Sequence, residues 1–131
     1  MDVIALKTKV CMMTGIGGSL FSYVFGWSEA LESLLWLMVL DYISGVIAAY
    51  IRRELNSNVG YVGILRKMGI LCVVGLANFL DYAMGASMVH SIAVWFFIGN
   101  EGISVLENAA KAGLPIPDKL HQTLEQLTKK G

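Results

Sequence analysis

The sequence predicts an all-α integral membrane protein, a bundle of about four transmembrane helices followed by a C-terminal amphipathic helix. Three observations lead there: an excess of apolar over charged residues, four proline-free apolar runs of membrane-crossing length, and basic residues confined to alternate connections. Of 131 residues, 56% are hydrophobic and only 15% charged, whereas soluble domains carry about 25% charged residues. A soluble globule of this size would leave large apolar patches in water. The chain reads as one domain. A formal net charge of zero, with no basic stripe interleaved with aromatics, argues against a nucleic-acid partner. Cys11 and Cys72 sit in separate apolar runs without metal-ligand company and read as small apolar residues, not as a disulfide pair.

The apolar runs cover residues 10–27, 33–51, 68–84 and 88–106. A helix needs about 20 residues to cross roughly 30 Å of hydrocarbon, and the shortest run can cross with snorkelling flanks or a locally thinner bilayer. None contains proline or alternates like a barrel strand, and backbone groups in lipid must pair internally, so helices are expected. The first run has the lowest helix propensity, because Gly15, Gly17, Gly18 and Gly26 fall in it. Lys7 and Lys9 before it, with Ser28-Glu29-Ala30 after it, loosely resemble a cleavable signal. The run is longer than a signal core, however, and is taken as retained.

Charge placement orders these helices across the bilayer. Lys7 and Lys9 precede run one; Arg52, Arg53, Arg66 and Lys67 separate runs two and three; Lys111, Lys119, Lys129 and Lys130 follow run four. The other two connections hold only Glu29 and Glu32, or no charge at all. Four crossings place every basic residue on one side, which the positive-inside rule makes cytoplasmic, with both termini inside. Residues 54–67 read as a cytoplasmic loop with turn chemistry in Asn56-Ser57-Asn58, Gly60 and Gly63. Pro115 and Pro117 end the fourth helix. A final helix over 118–129 carries Leu120, Leu124 and Leu127 on one face, which either packs under the bundle or lies on the lipid surface.

Polar residues inside the runs are the candidate functional residues, since a charge at the helix centre costs roughly 2.5–3.5 kcal/mol on insertion scales. These are Asp41, Asn78, Asp81, Asn100 and Glu101, with His90 nearer an interface. Helical spacing aligns Asp41 with Ser44, Gly45, Ala48 and Ala49; Asn78 and Asp81 with Gly75 and Gly85; Asn100 with Ser104, Glu107 and Asn108; and Gly15 with Gly18, Ser22 and Gly26. The small residues Gly15, Gly18, Ser22, Gly45 and Gly75 suit close helix packing. The carboxylates Asp41, Asp81 and Glu101 either serve packing too or line a hydrated path. No serine–histidine–acid set, phosphate loop or metal cluster with recognisable context is present, so neither an enzyme nor a cofactor is expected.

Several segments resemble the toxin-secretion/phage lysis holin family. They are Leu40-Asp41-Tyr42-Ile43-Ser44-Gly45, the stretch 57–67, Asn100-Glu101-Gly102-Ile103-Ser104-Val105-Leu106-Glu107-Asn108-Ala109, and Gly113-Leu114-Pro115-Ile116-Pro117-Asp118-Lys119-Leu120. The likeness runs from about residue 33 to 127. It implies a protein that accumulates in the cytoplasmic membrane and then assembles as a homo-oligomer. The resulting lesion releases a murein-degrading endolysin or a protein toxin. Members are often described with three crossings, and paired start codons are familiar among them, which bears on Met12 and Met13; as residues these read as apolar helix positions. Two other functions remain open: a four-helix proton-coupled multidrug-type transporter, and an antiholin on the same scaffold. Against the transporter, run one has no acidic residue and no inverted repeat is visible. Induced expression separates the three, since a holin stops growth and leaks protein, a transporter confers uptake or resistance, and an antiholin delays its partner's killing.

The one-sided basic residues generate a topology test. Cysteines introduced near Glu29 and Gly85 should react with an impermeant thiol reagent added outside, and those at Ser57 and Gln122 should not. Outside labelling at residue 3 would exclude the four-crossing arrangement.

Overall fold

Cap chemistry sets the limits of each helix. The computed structural model describes residues 2–130, with the side chains of 6, 9–13 and 130 outside the description; the expectations for Cys11, Met12 and Met13 therefore fall outside the described residues. Five helices follow in order: α1 (Val3–Phe25), α2 (Glu29–Ile51), α3 (Ser57–Met84), α4 (Met88–Lys111) and α5 (Asp118–Lys130), with no strand among the described residues. Asp2 accepts from the Ile4 N–H to start α1, Ser28 from Leu31 to start α2, and Asn56 from Val59 to start α3. Each satisfies one of the orphan donors that every helix start exposes. Glu29 and Glu32 in the first turn of α2 add favourable charge at its N-terminus.

The Asn56 cap overturns one expectation. Most of the stretch read as a loop over 54–67 is the first third of α3, which begins at Ser57. Gly60 and Gly63 are not turn residues. A Cβ at Gly60 would sit 3.2 Å from the Tyr42 hydroxyl, and one at Gly63 3.9 Å from the Tyr42 ring. The glycines make room for an aromatic side chain of α2.

The expected count of crossings is matched for three of the four runs. Among the described residues three helices, α2, α3 and α4, are long and apolar enough to cross a membrane. The first run folds as α1, but that helix begins at Val3 and so includes Lys7 and Lys9. Those charges and the glycines at 15, 17 and 18 dilute its apolar character, and it is not among the three.

The apolar core joins Leu31, Leu34 and Met38 of α2, Ile70 and Val74 of α3, and Val94 and Ile98 of α4. These residues cluster toward the end of the bundle where α1 turns into α2 and α3 into α4. Outside the core the large side chains point outward: Trp36, Val39 and Ile43 of α2, Leu76 and Phe79 of α3, and Trp95 of α4 are all exposed. An apolar exterior around a small core is the arrangement lipid, not water, solvates.

α5 settles the alternatives left by the sequence, since its apolar face packs on the bundle. A Cβ at Gly99 would meet Leu127 Cβ at 2.9 Å and the Leu124 carbonyl at 3.1 Å, and one at Gly102 would meet Leu124 Cδ2 at 2.9 Å. Leu127 joins the core. Higher numbers on α5 lie against lower numbers on α4, so the two helices run antiparallel. Gly113, at φ +94°, begins the reversal, and Pro115 and Pro117 stiffen it.

The start of α4 has an unusual cap. Ser87 occupies the N-cap position without a side-chain bond, and Asp81 of α3 does the work instead. Its carboxylate, 4% exposed, accepts from the backbone N–H groups of Val89 (3.0 Å) and His90 (2.8 Å). A carboxylate on orphan donors at a helix N-terminus combines hydrogen bonding with the helix dipole. Asp81→Ala should therefore cost about 1–3 kcal/mol. The expected signs are a lower melting temperature in detergent and faster amide exchange at Met88–Ser91 than at Leu31–Leu34; unchanged exchange there would assign the cap to another group.

Candidate functional site

The polar stripes of α2 and α4 meet below the apolar core, and a residue of α3 joins them. Lys67 Nζ donates to Asp41 Oδ2 and to Glu101 Oε2, both at 2.6 Å. The three side chains are largely buried, at 17% exposure for Lys67 and Asp41 and 5% for Glu101. Asn108 Nδ2 lies 2.9 Å from Asp41 Oδ1 and 3.1 Å from its backbone carbonyl, and 3.0 Å from Ser44 Oγ. The Ser44 hydroxyl donates to the Asp41 carbonyl at 3.1 Å. Asp41 thus has partners on both carboxylate oxygens, one from α3 and one from α4. Gly45, one residue past Ser44, permits this closeness, since a Cβ there would stand 3.5 Å from Asn108 Nδ2.

One lysine set between two acids makes a buried ionic cluster. Such a group is costly to bury and costlier to break, because removing one member strands the others without solvent, typically at 3–5 kcal/mol. The cluster forms one wall of an open groove of about 1450 Å³ between α2, α3 and α4. The groove is lined by Gly45 and Ala49, by Gly60 and Ile64, and by Ser104 and Lys111, and it runs to the α2–α3 connection at Arg52–Asn56. The helices are therefore closed by apolar packing at one end and separated at the end that carries the basic residues.

A second polar group lies near the other end. Asn78 Nδ2 donates to the carbonyls of Tyr23 (2.9 Å) and Val24 (3.1 Å), and His90 Nε2 lies 2.6 Å from the Phe25 carbonyl. These are last-turn carbonyls of α1, which lack partners within their own helix. Gly75 faces the Phe25 ring, with a Cβ placed 3.4 Å away, and Gly26, at φ +72°, abuts Asn78 and His90. The C-terminus of α1 is thereby fastened to α3 and α4.

Among the residues singled out by sequence, the structure brings Asp41 and Glu101 together and places Asp81 apart from them, on the N-terminus of α4. Ser104 borders the groove and Asn100 is exposed. Ser22 supplies the carbonyl that accepts from Gly26 N–H. Among the described residues, no atom from elsewhere in the fold lies within 4 Å of a Cβ added at Gly15 or Gly18. Lys67 was missed: as the last residue of an assumed loop, it counted only toward charge asymmetry. The signal was available, because once Asn56 is taken as a cap, Lys67 falls at helical spacing with Ile70, Val74 and Asp81 on the inner face. Among the described residues no group of His, Cys, Asp and Glu could hold a metal ion.

The profile of the bacteriophage holin family matches residues 19–129. A probable holin of Bacillus phage phi105 is 41% identical over 105 residues, covering 76% of this chain and 78% of the relative. Two uncharacterised proteins of Clostridium perfringens are similar over more of it. One is 46% identical over 116 residues (86% of this chain, 88% of the relative) and the other 43% identical over 126 residues (92% and 93%). No solved structure matches. The holin family is not an enzyme family, and the apolar helices described above make its members' membrane setting this chain's as well. With the match running from the last two turns of α1 to the end of α5, the chain belongs to the bacteriophage holin family.

Proposed function

We propose that the chain is a holin that accumulates in the cytoplasmic membrane as a closed bundle and then self-assembles into lesions that release an endolysin or a secreted toxin. The observation that carries this reading is the Asp41–Lys67–Glu101 cluster. It supplies what a delayed lesion requires, a monomer whose buried carboxylates are paired internally until assembly offers them something else. Opening needs no covalent step, only an exchange of partners: a second copy or water replaces Lys67 at one carboxylate. In this reading the N-terminus and the start of α5 lie on the cytoplasmic side, with α1 as a fourth, less apolar crossing secured by Asn78 and His90. Gly15 and Gly18, open in the single chain, are then available to a neighbouring copy.

The transporter reading has less support, since both buried acids are already paired with an internal lysine. The antiholin reading shares the scaffold and differs in outcome: on induced expression alone, a holin arrests growth, admits an impermeant dye and, with an endolysin co-expressed, lyses the cell.

If the cluster holds the closed state, weakening it shifts the population toward assembly. Asp41→Asn and Glu101→Gln should each bring lysis forward while leaving the amount of inserted protein unchanged. Lys67→Met should do more, either abolishing accumulation or lysing at once, because two carboxylates are left without a cation. Combining Lys67→Met with both neutral acid variants should restore accumulation. Lysis on the wild-type schedule by all three single variants would reduce the cluster to a packing feature.

A further inference from the structure

We infer that α5 lines the water-filled lumen of the assembled lesion. The inference rests on the holin reading above and adds which surface faces the hole. Its starting point is depth. Gly99, against which the last turns of α5 are packed, lies about 16 Å along α4 from Met88 and about 18 Å from Lys111, near the middle of a helix that is long and apolar enough to cross the membrane. The contacts of Leu124 and Leu127 with Gly99 and Gly102 are backbone-close, so α5 is seated there and not merely adjacent.

The face α5 turns away from α4 is polar. Lys119, Gln122, Thr123, Gln126 and Lys129 are exposed, and Lys129 directly follows Thr128, whose methyl group would be 3.1 Å from a Cβ at Gly99. The helix is thus apolar where it meets α4 and polar opposite, at a depth where hydrocarbon would otherwise surround it. Amides and an ammonium cannot remain against lipid acyl chains without hydrogen-bonding partners. Each copy therefore carries a polar surface at mid-membrane depth that only water or a polar neighbour can satisfy. A closed ring of copies with α5 innermost gives every such surface water at once and keeps the outward apolar residues of α2 and α3, among them Trp36, Ile43 and Phe79, in lipid. The small residues that seat α5 have the same purpose: with no side chain at Gly99 or Gly102, the lining helix fits flush on α4 without being pushed from the bundle.

Ion selectivity tests the assignment. Purified full-length protein is incorporated into planar bilayers with a gradient of potassium chloride near 1 M, where screening over about 3 Å confines the influence of a charge to the lumen itself. Lys129→Glu and Gln126→Glu should move the reversal potential toward cations, whereas Lys7→Glu on α1 should leave it in place. Because a variant can assemble differently, the same charge is also added afterwards: Gln126→Cys, in a chain with Cys11→Ala and Cys72→Ala, is modified with a negatively charged methanethiosulfonate once current is flowing. The expected result is the same cation-ward shift, with no effect on the chain lacking residue 126's thiol. Conductance whose selectivity is unmoved by every one of these changes overturns the placement of α5 and leaves the holin reading standing. Absence of conductance from wild-type protein overturns both.

Discussion

The position of Lys67 constrains much of this bundle. A lysine ammonium inside a membrane-inserted helix cluster must find anionic partners or be excluded, and here it finds two, one on each of the other two spanning helices. The consequences propagate outward. Asp41 must present one oxygen to α3 and the other to α4, which requires the closeness that Gly45 provides and the amide that Asn108 supplies. Glu101 must lie on the inner face of α4, which turns Trp95 toward lipid and directs Gly99 and Gly102 to α5. One ionic contact thus fixes the rotation of three helices about their axes, something apolar packing alone specifies weakly in a lipid environment where every outward alternative is nearly as favourable.

Two ways of closing a helix bundle are combined in this chain, one at each end. Near the α1–α2 and α3–α4 turns, Leu31, Leu34, Val74 and Val94 exclude both water and lipid, and the cap from Asp81 ties α3 to α4. Toward the basic end the helices separate around a groove, spanned by the Lys67 cluster and by Tyr42 set against Gly60 and Gly63. An apolar contact weakens gradually as helices part, whereas a buried ion pair is either made or broken with a large difference between the two. A bundle held in this way at one end has a natural point of failure, and that point coincides with the carboxylates which the sequence marks as costly.

Much of the helical plan was legible in the sequence because membrane length and charge asymmetry are strong signals: the second and fourth helices differ from their expected limits by only a few residues at either end. The failures share one cause. Gly60, Gly63 and Asn56 carry the same letters in a turn as in a capped helix with an aromatic packed on it, and only the contact with Tyr42 distinguishes the two. Misplacing that boundary concealed Lys67, and with Lys67 hidden the acids Asp41 and Glu101 had no counter-ion to decide between packing and a hydrated path. The role of Asp81 was invisible for a related reason, since its partners are backbone groups, which leave no trace in composition.

A chain this short cannot satisfy all its own surfaces, and what it leaves open is informative. Among the described residues, α1 is fastened through its C-terminal end, by carbonyls held by Asn78 and His90, while a Cβ at Gly15 or Gly18 would meet no described atom within 4 Å. α5 is fastened by its apolar face and presents amides and lysines outward at membrane depth. The first is a small-residue surface suited to another helix and the second a polar surface suited to water, and they belong to different elements. A single copy in lipid leaves both unsatisfied. Copies arranged with α1 against a neighbour and α5 toward a common axis satisfy both, so the surfaces that are unfavourable in the monomer are those that assembly buries or hydrates. The delay before assembly then follows from the interior, where the Lys67 cluster keeps each copy closed until the exchange of partners becomes favourable.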